Sequence, residues 1–333
     1  MIDPDYNSTK PAGQLEASPA QNAGSQYNPP EVSTLLQKLM IIILNLNLKD
    51  DTLALIHSLV AAGATPDQII LVDNGSTDGC VAEIRKRFNN QINLIENEQN
   101  LGFATGNNQG ARLALHLGAE WLLLLNNDTE VAPDFFLEIE QAIKSDSPYL
   151  IFSPAIYYYS EPEIIWHLGA KRFPGTLLAR NLYQGQKRPE NLPDLMPTDF
   201  ISGCGMLLHR SVFERVGLFD DRFIIYWEEV DFSMRASKAG YKMANITRAK
   251  MWHKVSRTMS RVKDRTRYLY TRNLIFYARK NASGLQKLSM LFILIARLVI
   301  TIFRDITSGQ TNLIKPLLKG WVDGWLEKGL IRT

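Results

Sequence analysis

The chain has 333 residues, 45% of them hydrophobic and 21% charged, and a net charge of +3. It is long enough to bury a full core, as one large domain or two modest ones. The ordinary balance excludes the compositionally biased classes, and so small a net charge gives no footprint for nucleic acid.

Residues 1–34 are rich in Pro, Ser, Asn, Gln, Gly and Ala. With few apolar residues to offset ordering entropy, they read as a disordered tail. They lack the basic-then-apolar pattern of a secretion signal. Residues 40–44 form a continuous apolar run, as in a strand buried on both faces. Asp50 or Asp51 is placed to cap a helix carrying Leu53, Ile56, Leu59 and Val60. A second strand at 69–72 runs into the polar turn 73–79, and a helix through Val81, Ile84 and Phe88 follows. A third strand at 92–95 leads through a glycine-rich turn into a helix with Ala111 and Leu115. A fourth at 121–125 ends in Asn126-Asn127-Asp128. Four alternations of strand and helix predict an α/β fold, with a mostly parallel sheet flanked by helices. Ligands of such sheets sit beyond the carboxyl ends of the strands, where the clusters at 73–79 and 126–128 lie.

Past residue 150 the alternation fades into strands with long loops, then two short helices at 210–218 and 229–240. Residues 248–280 hold eleven Lys and Arg (248, 250, 254, 257, 261, 263, 265, 267, 272, 279 and 280) against one acid, Asp264. Such a block is a solvated face or lies near phosphates or an anionic lipid surface. The apolar stretch 288–303 is short for a membrane span, which needs roughly twenty residues. A helix lying on a membrane or packed on the core is expected there. Cys80 and Cys204 make no disulfide framework and match no metal spacing, which fits a reducing compartment.

Each polar cluster has a functional and a bland reading. A carboxylate just past a buried strand, as in Asn126-Asn127-Asp128, suits a hard cation such as Mg²⁺ or Mn²⁺ with open positions for phosphates. It equally suits a turn. Asp73 at the end of the second strand can accept an N–H from a base, or simply belong to a βα loop. The glycine-spaced loop 100–110 opens a helix whose N-terminus favours phosphate, but it is not the dinucleotide fingerprint. Glu228, Glu229 and Asp231, flanked by Trp227 and Phe232, either favour a helix dipole or raise each other's pKa toward that of a general base. His57, His116, His167 and His209 have no chemical neighbours in sequence and read as structural.

Taken in order, five segments resemble the family 2 glycosyltransferases of the GT-A (Rossmann-like) fold, closest to their rhamnosyltransferase-like branch. They are VDNGSTDG at 72–79, NLGFATGNNQG at 100–110, LLLNNDTEV at 123–131, FISGCGMLLHRSVFERVGLFDDRF at 200–223 and WEEVDFSMRASKAGY at 227–241. The resemblance implies a glycosyltransferase domain over 35–280, with a nucleotide-sugar half at 35–131 and an acceptor-side half at 132–280. A C-terminal helical, membrane-associating region would follow at 281–333. Asp73 would bind the donor base, with Asn45, Asn74, Gly102, Asn107 and Asn127 around the donor. Asp128 and Asn126 stand where the family has its metal-binding acids, and His253 where related enzymes place a metal-bound histidine. Glu229 would be the base, with Glu228 and Asp231 as alternates. Gly203, Gly205 and Trp227 would face the acceptor, and Arg272 a phosphate.

The implied reaction is a single inverting displacement. A sugar would move from a UDP- or dTDP-linked donor to a glycan or lipid-linked acceptor in surface polysaccharide synthesis. The enzyme would be cytoplasmic and peripheral on the inner face of the plasma membrane, with an anionic membrane surface as a partner. The rival is a non-catalytic nucleotide-sugar or carbohydrate-binding scaffold of the same fold. A sugar-nucleotide pyrophosphorylase is excluded, because it needs a glycine-rich basic loop where this chain reads Asn45-Leu46-Asn47-Leu48-Lys49.

Overall fold

A computed structural model describes residues 36–255 and 263–328, so the N-terminal tail expected at 1–34 lies outside the described residues. Twelve strands and nine α-helices occur along the described chain. In the first part, β1 (Leu39–Asn45), β2 (Ile69–Asp73), β3 (Asn93–Glu96) and β4 (Trp121–Asn126) alternate with α1 (Lys49–Ala61), α2 (Cys80–Phe88) and α3 (Phe103–His116). Then come β5 (Thr129–Val131), α4 (Phe135–Lys144), β6 (Tyr149–Tyr158), β7 (Ile165–His167), β8 (Ala170–Arg172), β9 (Ala179–Asn181) and β10 (Leu195–Thr198). β11 (Gly205–His209), α5 (Arg210–Val216), α6 (Glu228–Lys238) and β12 (Lys242–His253) follow. The chain closes with α7 (Lys263–Asn281), α8 (Gln286–Thr307) and α9 (Ile314–Leu326).

The main sheet runs β10-β12-β6-β11-β4-β1-β2-β3. Its first half is parallel as expected, β1 pairing with β2 and β4, and β2 with β3. The second half is mixed: β11 runs antiparallel to β4 and β6, and β12 pairs parallel with β6 but antiparallel with β10 and β5. Successive residues of β1 feed opposite faces. Ile41 and Ile43 pack with α1 and α4, while Ile42 packs with Ala104 and Ala111 of α3. Burial on both faces, at about 1.5–3 kcal/mol per side chain, explains why these strands read as unbroken apolar runs.

One local expectation is corrected. Neither Asp50 nor Asp51 caps α1; the cap is Leu48 in left-handed backbone, without a side-chain bond. Asp51 lies in the first turn and is buried, because it is drawn to a lysine 203 positions away. The apolar stretch 288–303 falls inside the 22-residue α8. Among the described residues no helix is long and apolar enough to cross a membrane. α9 crosses α7 through glycines. A Cβ on Gly320 would stand 2.5 Å from the Tyr268 carbonyl oxygen, and one on Gly324 2.7 Å from that of Arg272.

Candidate active site

The parallel pairing sets Asn45 beside Asp73 and Leu44 beside Asn126, so three strand ends converge. Asp73 is buried and held at both oxygens. Asn45 Nδ2 donates to Oδ1 at 2.6 Å and the Ser76 amide to Oδ2 at 2.9 Å. Asn45 Oδ1 accepts from Thr52 Oγ1 at 2.8 Å and from Asn127 Nδ2 at 2.9 Å. Asn127 Nδ2 also reaches the Asn47 carbonyl and Thr52 Oγ1, each at 3.0 Å. Asn74 donates to the Gly102 carbonyl and accepts from Asn97 Nδ2 and the Leu101 amide. Asn45, Asn74 and Asn127 therefore brace the loops that aim Asp73. Asn107 is buried within α3, its amide donating to the Phe103 carbonyl.

Beyond β4 the antiparallel β5–β12 pairing sets His253 opposite Thr129, next to Asp128. Both side chains are nearly buried, with His253 Nε2 3.2 Å from Asp128 Oδ1. Burial opposes ionisation of Asp128, but the charge and hydrogen bond of His253 overcome it and hold the carboxyl below its usual range. Burial likewise opposes charge on His253, which its neighbours Cys204 and Asp128 nonetheless hold protonated well above the usual imidazole value. Burial keeps the Cys204 thiol's own pKa high. Lys254 is locked beneath the pair, its Nζ 2.8 Å from Asp51 and 2.9 Å from Glu130, its amide donating to the Asp128 carbonyl at 2.9 Å. Burial would lower the Lys254 pKa, but those two carboxylates raise it.

A carboxylate and, once it gives up its proton, the imidazole beside it are a donor set that suits a divalent cation such as Mn²⁺. Asn126, whose side chain makes no hydrogen bond among the described residues, stands alongside. No cluster of three His, Cys, Asp or Glu side chains is arranged for a metal among the described residues. Phosphate and water oxygens would have to complete the shell.

The acid segment is built on strained backbone. Ile224, Tyr226 and Trp227 have φ of 66°, 71° and 76°, in the left-handed region that costs a bulky residue about 1–3 kcal/mol. They end in Glu228 and Glu229 at the start of α6. Asn273 compensates, its Nδ2 donating to the carbonyls of Phe223 at 2.6 Å, Ile225 at 2.8 Å and Tyr226 at 2.9 Å. Burial, with Glu229 beside it, pushes the Glu228 carboxyl well above its usual range. Burial pushes Glu229 up to about 7, against the opposing pull of backbone amides. One oxygen of each, Oε2, is buried without a hydrogen-bond partner, as is Trp227 Nε1. Gly203 opens this floor, since a Cβ there would stand 3.5 Å from Glu229 Cβ and 3.1 Å from the Phe103 ring. The adjoining Cys204 carbonyl accepts from the Asn126 amide at 3.2 Å, which ties the acid pair to the Asp128 pair. A Cβ on Gly205 would meet Met251 Sδ at 2.8 Å, a packing constraint within the sheet.

Two of the expected site residues are engaged in buried structural contacts. Asp231 is fully buried and saturated, with Arg235 and Lys280 each 2.8 Å from Oδ2 and Asn281 2.9 Å from Oδ1. It fixes α6 through these three contacts, away from solvent. Arg272 is 1% exposed and donates to the Arg222 and Phe223 carbonyls at 3.0 and 3.3 Å. It braces the strained segment from below instead of meeting a phosphate. Lys254 and Asn273 were missed as supports, because their partners lie 203 and 47–50 positions away and no sequence spacing reports them.

Comparison with known proteins bears on the family and the fold. The family model described as glycosyl transferase family 2 matches residues 40–217. A low-salt glycan biosynthesis hexosyltransferase, Agl10, of Haloferax volcanii is 30% identical over 207 residues, covering 62% of this chain and 63% of that protein. An N-acetylglucosaminyl-diphospho-decaprenol L-rhamnosyltransferase of Mycobacterium tuberculosis is 29% identical, covering 59% of this chain and 69% of its own length. Among solved structures, a mannosyltransferase of Pyrobaculum calidifontis in complex with GDP-Man and Mn²⁺ superposes with a TM-score of 0.52 at 13% identity. It covers 87% of this chain and 88% of that one. GalNAc-T7 with UDP, GalNAc and Mn²⁺ gives 0.53 at 18% identity, over 73% of this chain and 50% of that one. At such identities the structures report the fold, which is GT-A-like.

Proposed function

Because the chain belongs to glycosyl transferase family 2, we propose that it moves a sugar from a UDP- or dTDP-linked donor to a hydroxyl of a glycan or lipid-linked acceptor, with inversion. The observation that carries this reading is the pairing of two unlike groups. Asp128–His253 sits at the end of β4, and a base with its pKa near 7, Glu229, is joined to it through residues 203–205.

Asp73, which Asn45 and Ser76 fix, would accept from the donor base. Asp128 and His253, with Asn126, would hold a divalent cation, which neutralises charge on the departing nucleotide diphosphate. Glu229 accepts the proton of the acceptor hydroxyl as that oxygen attacks the anomeric carbon, a role matched to its raised pKa. Glu228, held protonated by burial and its neighbour, keeps the second charge out of the site. The Mycobacterium tuberculosis relative is named for a diphospho-decaprenol acceptor. That supports a lipid-linked acceptor here, and a peripheral place on the inner face of the plasma membrane.

The test is titration of the protein with UDP, dTDP and GDP, with and without Mn²⁺, alongside Asp128→Ala. Mn²⁺-dependent binding of one nucleotide, weakened at least tenfold in the variant, is expected. A folded protein that binds none of them would favour the non-catalytic scaffold instead.

A further inference from the structure

α8 has two unlike sides. Met290 and Leu294 are buried with Leu274 and Ile275 of α7. Arg297 and Arg304 lie on that inward half too, with Thr301, and line the cleft between α7, α8 and α9. The outward half carries Leu288, Phe292, Ile295, Val299, Ile302 and Ile306. Phe292 is 76% exposed, Ile302 is half-buried and the other four are exposed. Leu291, Ile300 and Phe303 stand exposed beside them.

The six residues are spaced four, three, four, three and four apart. That is the alternation of the two core positions in a heptad repeat, kept along a helix of roughly 33 Å. A seam of this kind packs its side chains between those of a second helix lying alongside. The exposed apolar side chains of this face leave roughly 800 Å² in water, about one partner's share of a stable interface and more than the largest patch of an ordinary monomer.

The flanks of the seam point to the partner. Five of the six flanking positions are Ser289, Leu291, Ala296, Leu298 and Phe303, all uncharged. The sixth, Asp305, is 1% exposed and turns inward to Arg267 at 3.4 Å. Identical helices bring like residues together, so charged flanks would repel a second copy; these do not. A helix lying in a bilayer surface carries Lys, Arg, Trp or Tyr along the margins of its apolar side. Here both arginines face the other way, and the one lysine, Lys287, stands at the first turn.

We infer that the outward face of α8 is the seam of a homodimer, in which α8 of a second copy packs alongside it about a twofold axis. The pairing uses no residue of the candidate active site and is independent of the transferase reading.

The experiment is sedimentation velocity of the full chain over a range of concentrations, without and with vesicles of phosphatidylcholine and phosphatidylglycerol. At about 50 µM, above the micromolar upper limit for dissociation constants of interfaces this size, the wild type should sediment as a dimer of the 37.8 kDa chain. Val299→Glu sets a charge within the seam from both copies and should weaken the dimer about a hundredfold. Phe292→Asp with Phe303→Asp should leave only monomer. Leu117→Asp, at an exposed leucine that ends α3, should leave the dimer intact. All three should keep the wild-type circular dichroism, since the changed side chains are exposed. A wild type that stays monomeric throughout the range overturns the inference. So does a dimer that neither seam variant weakens, which would place the contact elsewhere. A monomer that binds vesicles through Phe292 and Phe303 would also overturn it, by making a bilayer the occupant.

Discussion

At the ends of β1, β2 and β4, Asn45, Asp73, Asn74 and Asn127 are satisfied by one another and by the backbone. Across the site, the segment 224–229 has three residues in left-handed backbone and two carboxylates with an unpaired buried oxygen each. The first region satisfies its own polar groups and is held rigid by them. The second holds its reactive groups in a costly state that its surroundings must enforce. The contrast shows where this chain stores strain: Glu228 and Glu229 sit on the uncomfortable wall, and Asn273 and Arg272 brace it.

Three substitutions sharpen that contrast. Lys254→Met should have the largest effect on folding, about 3–5 kcal/mol of stability in denaturant titration, because it leaves Asp51 and Glu130 buried without their cation. An unchanged midpoint would mean that the triad is not the keystone beneath Asp128. Glu229→Gln should act in the opposite direction. Its raised pKa means that the folded protein binds more protons than the unfolded chain between pH 4.5 and about 7, so wild-type stability falls as pH rises through that window. Removing the charge should then gain up to about 3 kcal/mol at pH 8 and nothing at pH 4. A gain equal at both pH values would show that burial does not shift this carboxyl. Asn273→Ala should cost roughly 1–2 kcal/mol in stability, and more in turnover, by freeing the carbonyls of Phe223, Ile225 and Tyr226. If turnover holds while stability falls, the strained segment does not need its brace to place the base.

What sequence disclosed, and what it hid, follows the same division. The parallel strands were legible because burial on both faces writes an unbroken apolar run, as at 40–44 and 121–125. Their ends pointed to Asp73 and Asp128, since a parallel sheet puts its ligands there, and both lie buried at those ends. The partnerships were hidden. His253 meets Asp128 only through the β5–β12 register, and Lys254 finds Asp51 across 203 positions. Arg272 and Asp231 looked available because charge in a motif does not reveal burial; the fold spends both on structure. The apolar stretch 288–303 could be sized against a membrane, but which side of α8 lacks a partner is set by where α7 packs.

The measurement that bears most directly on the central claim is the pH dependence of sugar transfer from the nucleotide donor, in the wild type and in Glu229→Gln. The account predicts a wild-type rate that climbs through about pH 7 as Glu229 loses its proton. It predicts a variant slower by about 10²–10⁴-fold and without that limb. A variant that turns over at the wild-type rate, or that keeps the same rising limb, would contradict Glu229 as the base.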